Sequence, residues 1–522
     1  MIALTLRQLR FGALTVIALA AGMSALVAGQ YQTTFAGALD GGALQALAAN
    51  PAIRTLFGPP LALDDPGGFT VWRTGTPIAV LVGVWAILTT TRLTRGDEDA
   101  GRWDLLLSGL ITARGLLVRR LAVLAVVLLA AGAAVTAALI GTGTDPAGAV
   151  LHGAGVTAIG WVFAAVGGLG AQLLPARAPA TGAAVAVLGA ALLARMVSDG
   201  LDAATWVHWL SPFGLFAQLQ PYAGNHPGPL LVLIPLAFLL AILAVALAGR
   251  RDLHSAPLTF DAHRRARTRL LRSVSGFALR RALRPWTGWV LGIGAYYLLI
   301  GLLTLSISRF MTDNRRFSEL AAGAGFGGLG SPEGFAAAMF SLLAIPAGMY
   351  AAVRLGSFAE DESSRRAVLL FGLPLSRGRL LGAELVVVAG GTVVLSCAGG
   401  LAMWAGATAA GAALGLPGAL AGALNIVPIA LLSLGAAVLG LGWLPKATVA
   451  LGAVPAVGGF FYQVIAQNAG ATGWLLELSP FAHLAAVPDT APDWAGTTGL
   501  LVLAIACTAL GALGYTRRDL AV

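Results

Sequence analysis

Lysine is almost absent from this chain: Lys446 is the single copy, and Ala447 follows it. A Walker A phosphate loop needs lysine followed by serine or threonine, so this chain carries no P-loop ATPase of its own. Cysteine is nearly as scarce. Cys397 and Cys507 both fall within apolar runs, which leaves no disulfide framework and no metal site built on thiolates. The six histidines are scattered with no His-Glu-x-x-His pair, and there is no Gly-x-Ser-x-Gly nucleophile elbow. Gly323-x-Gly325-x-x-Gly328 matches a dinucleotide fingerprint by spelling alone, because no strand precedes it. Charge is thin as well: 11% of the residues are charged, about half the share of a soluble domain.

Apolar sequence takes up the difference. Hydrophobic residues make up 57% of the chain, with mean hydropathy +0.83. Runs long enough to cross a bilayer core of roughly 30 Å recur throughout. They predict an all-α polytopic membrane protein with twelve spans, at 12–30, 74–92, 117–141, 151–174, 179–197, 228–249, 286–308, 335–355, 380–404, 418–442, 447–466 and 494–514.

The second six repeat the first. Asp97-Glu98-Asp99-Ala100-Gly101-Arg102, with Leu105 to Gly109 and Thr112-Ala113-Arg114 after it, returns 263 residues later. There it reads Glu360-Asp361-Glu362-Ser363-Ser364-Arg365, then Val368 to Gly372 and Leu375-Ser376-Arg377. Trp206 to Phe213 returns as Trp474 to Phe481, each ending in Ser-Pro-Phe, and each half closes with Arg-Arg-Asp-Leu, at 250–253 and 517–520. The reading is two homologous six-helix bundles: residues 1–253, a basic linker and second entry helix at 254–285, and residues 286–522. Such doubled membrane proteins move a solute along the axis between their halves.

With both termini cytoplasmic, 27 of the 33 basic residues lie inside and five outside, Arg195 sitting at an edge, while the acids divide 11 to 12. That is the positive-inside pattern, which fixes the orientation; the membrane expected is the plasma (cytoplasmic) membrane. It also accounts for the net charge of +10 without nucleic acid: Arg250 to Arg284 carries ten arginines, suited to anionic headgroups. Trp72, Trp206, Trp209, Trp474 and Trp494 mark the outer boundary, and Trp286, Trp289 and Trp443 the inner one. Leu6 to Arg10 and Leu279 to Arg284 read as amphipathic entry helices lying on the inner face. Residues 31–72 and 309–334 form the long first external loops of the two halves.

Two acidic segments carry the remaining information. About 20 residues separate Arg92 from Leu117, where a short turn would suffice. Trp103, Leu106, Leu107 and Leu110 recur there at helical spacing beside Asp97, Glu98, Asp99, Arg102 and Asp104. The second copy places Leu370 and Phe371 after Glu360, Asp361, Glu362, Arg365 and Arg366. Three acids at a helix start suit the positive end of its dipole. Either these are solvated surface helices, or they are docking helices whose charges orient a soluble partner and whose apolar residues anchor it.

An entry helix, a long acid-rich connection after span two ending at Pro374-Leu375-Ser376-Arg377, and a Ser-Pro-Phe hairpin before span six together resemble the type-2 ABC exporter permeases. The doubled form is similar to the twelve-span actinobacterial permeases described as polyketide-antibiotic or multidrug exporters. The first half departs from the pattern, with Leu110-Ile111-Thr112-Ala113-Arg114 in place of the proline turn. The resemblance implies a permease that is not itself an enzyme and binds no cofactor. ATP and Mg would sit on two copies of a separate ATPase. The two acidic segments would be the coupling helices that meet those copies, and spans one, two and five of each half would border the pathway.

Trp85, Tyr350, Phe460, Phe461, Tyr462 and Gln463 are the candidate lining residues, suited to a hydrophobic or amphipathic small molecule. Arg195 and Asp199 are spaced for local pairing, and glycine runs such as Gly435 to Gly442 for close helix packing. A twelve-span ion-coupled drug carrier is the alternative, and Gly96-Asp97 with Arg102 echoes its short loop. No carboxylate embedded for proton coupling is evident, and a lipid-modifying enzyme would need a polar cluster at one depth that the sequence lacks.

Overall fold

The computed structural model describes residues 2–31, 54–55, 57–200, 202–258, 269–314, 328–363, 374–468 and 473–518. The chain forms two compact units, Met1–Arg264 and Arg265–Val522. Every regular element among the described residues is helical.

The first unit contains α1 (Ile2–Gln30), α2 (Pro66–Thr91), the short α3 (Arg102–Leu107), α4 (Ala113–Gly141), α5 (Pro146–Leu173), α6 (Arg177–Gly200), α7 (Pro212–Ala217) and α8 (Leu230–Ala248). Its helix starts are written locally. Asp65 before Pro66 and Asp145 before Pro146 accept the first free backbone N–H groups, and Thr112 does so for α4. The second unit contains α9 (Val274–Asp313), α10 (Pro332–Ser363), α11 (Arg377–Ala409), α12 (Leu416–Asn425), α13 (Val427–Trp443), α14 (Thr448–Ala453), α15 (Gly459–Asn468), α16 (Trp474–Glu477) and α17 (Trp494–Arg517).

The same neighbours recur in both units. α5 packs on α2, α4, α6 and α8; α13 packs on α10, α14 and α17, while α1 lies along α4 as α9 lies along α11. The middle helix is the most enclosed of each unit, and α8 and α17 are among the least. Their exposed Leu231, Phe238, Ile242, Val502 and Ile505 are placed for hydrocarbon contact. Close crossings rest on glycine. A side chain on Gly442 would collide with the Gly511 backbone, and one on Gly511 with the backbone at Val438, so α13 and α17 approach at van der Waals distance.

Three sequence expectations change. Eleven helices among the described residues are long and apolar enough to cross a membrane. The stretch expected as a span at 447–466 is not among them, but it is helical without interruption over 448–468, α14 running into α15 through a π turn at Val454–Gly458. Pro455 has no backbone N–H to offer, and the ladder slips there. The entry segments are not separate helices either: Leu6 to Arg10 lies inside α1, and Leu279 to Arg284 inside the 40-residue α9. Finally, the acids do not start helices. Asp97–Asp99 continues α2 through a π turn at Arg92–Gly96, and Glu360 to Glu362 closes α10. The dipole at that end is negative, so their charge needs cations supplied from elsewhere.

Candidate functional site

In the first unit those cations are arginines. Asp97 accepts from Arg120 of α4 at 2.6 Å and from Arg102 at 2.6 Å. Glu98 is fully buried and meets Arg95 at 3.0 Å and Arg251 at 2.5 Å; it also accepts the His254 backbone N–H at 2.7 Å. Asp99 accepts the Arg177 backbone N–H at 2.9 Å. The helix then stops because Gly101 takes φ +69° and its N–H returns to the Glu98 carbonyl at 2.9 Å.

α3 hangs below this network. Trp103 is fully buried against Leu116, Leu117, Ala244 and Ala248, and the Arg120 guanidinium lies 5.7 Å from its ring. Leu106 and Leu107 also pack inward. Leu110, expected on the same stripe, is fully exposed because α3 ends at Leu107. Leu105, Arg102 and the half-exposed Asp104, which faces His254 at 3.2 Å, complete the outer surface. Asp97 and Glu98 are thus turned inward, and Trp103 is an anchor.

The second unit repeats the plan with different partners. Asp361 pairs with Arg281 of α9, and Glu362 accepts from Arg518 at 2.7 Å. Arg377, the first residue of α11, donates to the Arg518 carbonyl at 2.8 Å. Arg365 and Arg366 lie outside the described residues. A buried carboxylate is present after all: Glu384 of α11, 1% exposed, pairs with Arg354 of α10 at 2.5 Å. Its charge is neutralised across two helices, a partnership that sequence spacing does not reveal.

Of the candidate lining residues, Trp85 packs on the core of the first unit. Tyr350 is fully buried, with Trp289 edge-on at 6.2 Å. Phe460 sits between Phe461 and Phe481, at 5.9 and 5.8 Å. Tyr462 donates to the Leu475 carbonyl at 2.7 Å, Gln463 is half-buried, and Phe461 is exposed.

The repeated Ser-Pro-Phe sequences have a clear task. Ser211 donates to the Ala191 carbonyl of α6 at 2.6 Å, and Ser479 to the Gly459 carbonyl of α15 at 3.1 Å. Each serine also caps the turn that follows it. Near the first hairpin, Arg195 and Asp199 pair at 2.5 Å, as their spacing predicts, and His208 joins them at 2.7 Å.

Eleven long apolar helices among the described residues, with ionisable groups neutralised against one another at helix ends, define a multi-pass membrane protein. The family described as "Multidrug efflux system permease Rv1217c, C-terminal domain" matches residues 1–249 and 271–516. The multidrug efflux system permease protein Rv1217c of Mycobacterium tuberculosis (strain ATCC 25618 / H37Rv) is 31% identical over 484 residues, which cover 91% of this chain and 86% of that protein. The chain belongs to this family of efflux permeases, as a non-catalytic permease subunit.

Proposed function

We propose that this chain forms the membrane pathway of an ATP-driven exporter, with two six-span bundles, both termini cytoplasmic, and two copies of a separate ATPase that hold the ATP and Mg. Its cargo is a hydrophobic or amphipathic small molecule, in keeping with the multidrug role in the relative's name. On this reading α14 and α15 together make the twelfth crossing, and the exposed Phe461 beside Tyr462 faces the route.

The observation that carries the proposal is α3. It is a short helix anchored from behind by a buried tryptophan and a double ion network, and it offers Leu105, Leu110, Arg102 and Asp104 outward. A rigid apolar tip with charges at its rim is what a soluble partner needs to push on. Asp97 and Glu98 then hold the lever, and the surface residues touch the ATPase; in the second half Glu360, Asp361, Glu362, Arg365 and Arg366 take the corresponding place. ATP-driven closure of the ATPase pair would shift the bundles between two states of unequal cargo affinity. An ion-coupled carrier gains no support from Glu384, whose charge is already matched by Arg354.

Native mass spectrometry of the complex purified with its ATPase should give one permease to two ATPase chains, and the isolated permease should hydrolyse no ATP. A stable complex with a single ATPase copy, or turnover by the permease alone, contradicts the proposal.

A further inference from the structure

The Arg-Arg-Asp-Leu sequence of each half begins where its last helix ends: the Arg250 and Arg251 N–H groups donate to the Leu247 carbonyl of α8, and Arg517 closes α17 with the Arg518 N–H on the Gly514 carbonyl. Its second arginine reaches back across the unit. Arg251 sends Nη1 to Glu98 Oε1 at 2.7 Å and Nη2 to Oε2 at 2.5 Å, and its Nε donates to Gln172 of α5 at 2.8 Å. Arg95 and Arg251 both donate to the Ser255 carbonyl as well. In the second unit a single nitrogen of Arg518 bridges both carboxylate oxygens of Glu362 at 2.7 Å, and its guanidinium lies 5.2 Å from the Tyr515 ring.

The acids differ in register. With the 263-residue offset Glu98 corresponds to Asp361, yet the arginine of the second half takes Glu362. The contact recurs although its acid has moved by one position, which marks it as a linkage rather than a by-product of the repeated sequence. Both first-half partners are almost wholly buried, so the pair is little screened by water.

We infer that Arg251 and Arg518 are positioning residues that tie the last helix of each half to the acidic segment after its second helix, so that a push on that segment moves α8 or α17 with it. The inference rests on the proposed coupling to an ATPase. A charge-assisted contact of this kind, a two-nitrogen fork at Arg251 and a single nitrogen at Arg518, is suited to this because it holds the two segments together while the helices remain separately packed.

Hydrogen exchange on the intact permease–ATPase complex tests it, comparing nucleotide-free with ATP–vanadate-trapped states. Trapping should change exchange in residues 356–363 and 508–518 together, and likewise in 95–110 and 240–251. Arg518→Gln should reduce the response at 508–518 by at least about fivefold, the lower range of a coupling effect, while 240–251 still responds. The swap Arg518→Glu with Glu362→Arg should restore it, and Arg251→Lys, which keeps the charge but loses the fork, should weaken the first-half response alone. A purely structural role would raise exchange equally in both nucleotide states and would not be rescued by the swap. A wild-type complex in which 356–363 responds and 508–518 does not, or an Arg518→Gln response equal to wild type, overturns the inference. Failure of the wild-type chain to bind the ATPase, seen by mass before any exchange, would instead sink the proposed function.

Discussion

His208 is held between two acceptors. Its Nδ1 faces the Thr205 carbonyl at 2.9 Å and its Nε2 the Asp199 carboxylate at 2.7 Å, so only the imidazolium satisfies both. The hydrogen bond to Asp199 raises the His208 pKa above its ordinary value, helped by Thr205 and the Asp199 charge, against burial and Arg195. A raised folded value means that this stabilisation is complete below the ordinary pKa near 6.5 and is lost as pH rises through the folded value. His208→Phe should therefore cost the hairpin about 1–3 kcal/mol at pH 5.5 and little at high pH. Hydrogen exchange of residues 205–217 across pH measures this, and an unchanged slope in the variant refutes it. At this scale the sequence was legible only where partners are neighbours. Arg195 and Asp199 stand one helical turn apart, whereas Arg251 and Glu98 are 153 positions apart and Arg518 and Glu362 are 156 apart. Nothing in either local stretch names the other.

Helices were legible because hydropathy over about 20 residues follows from the bilayer itself. Their ends were not. The acids of both segments looked like helix starts by charge pattern, yet α2 and α10 run on into them because arginines compensate the unfavourable dipole end. The π turn at Pro455 was equally hidden, since proline lies inside α2, α8, α9 and α10 as well. Glycine use on α17 gives a test. Gly511→Leu forces α13 away and should cost roughly 1–3 kcal/mol or more, whereas Gly499→Leu, on the same helix and facing open space, should be tolerated. Thermal unfolding in detergent should lower the first variant's midpoint and leave the second near wild type. Equal midpoints would mean that the crossing is not tight.

Across the whole chain, the duplicated motifs were legible and their uses were not. Ser-Pro-Phe proved to be a hydroxyl latch onto the backbone of α6 and α15, and Arg-Arg-Asp-Leu a reach of more than 150 positions. The arginine bias makes a topological forecast: a fluorescent protein that matures only in the cytoplasm should glow when fused at either terminus. A dark fusion at one end would require an odd number of crossings.

The halves have also parted in their interiors. Arg354 and Glu384 neutralise each other in the second unit, where the positions 263 residues earlier hold Thr91 and Leu121. Thr91 instead bonds Thr181 of α6 at 2.8 Å. A gene conversion that copied one half over part of the other would strand one member of the ion pair, at roughly 3–5 kcal/mol for an unmatched buried charge. Selection would remove such recombinants before the second change arrived. Any exchange between the halves therefore has to carry both positions of the pair or neither.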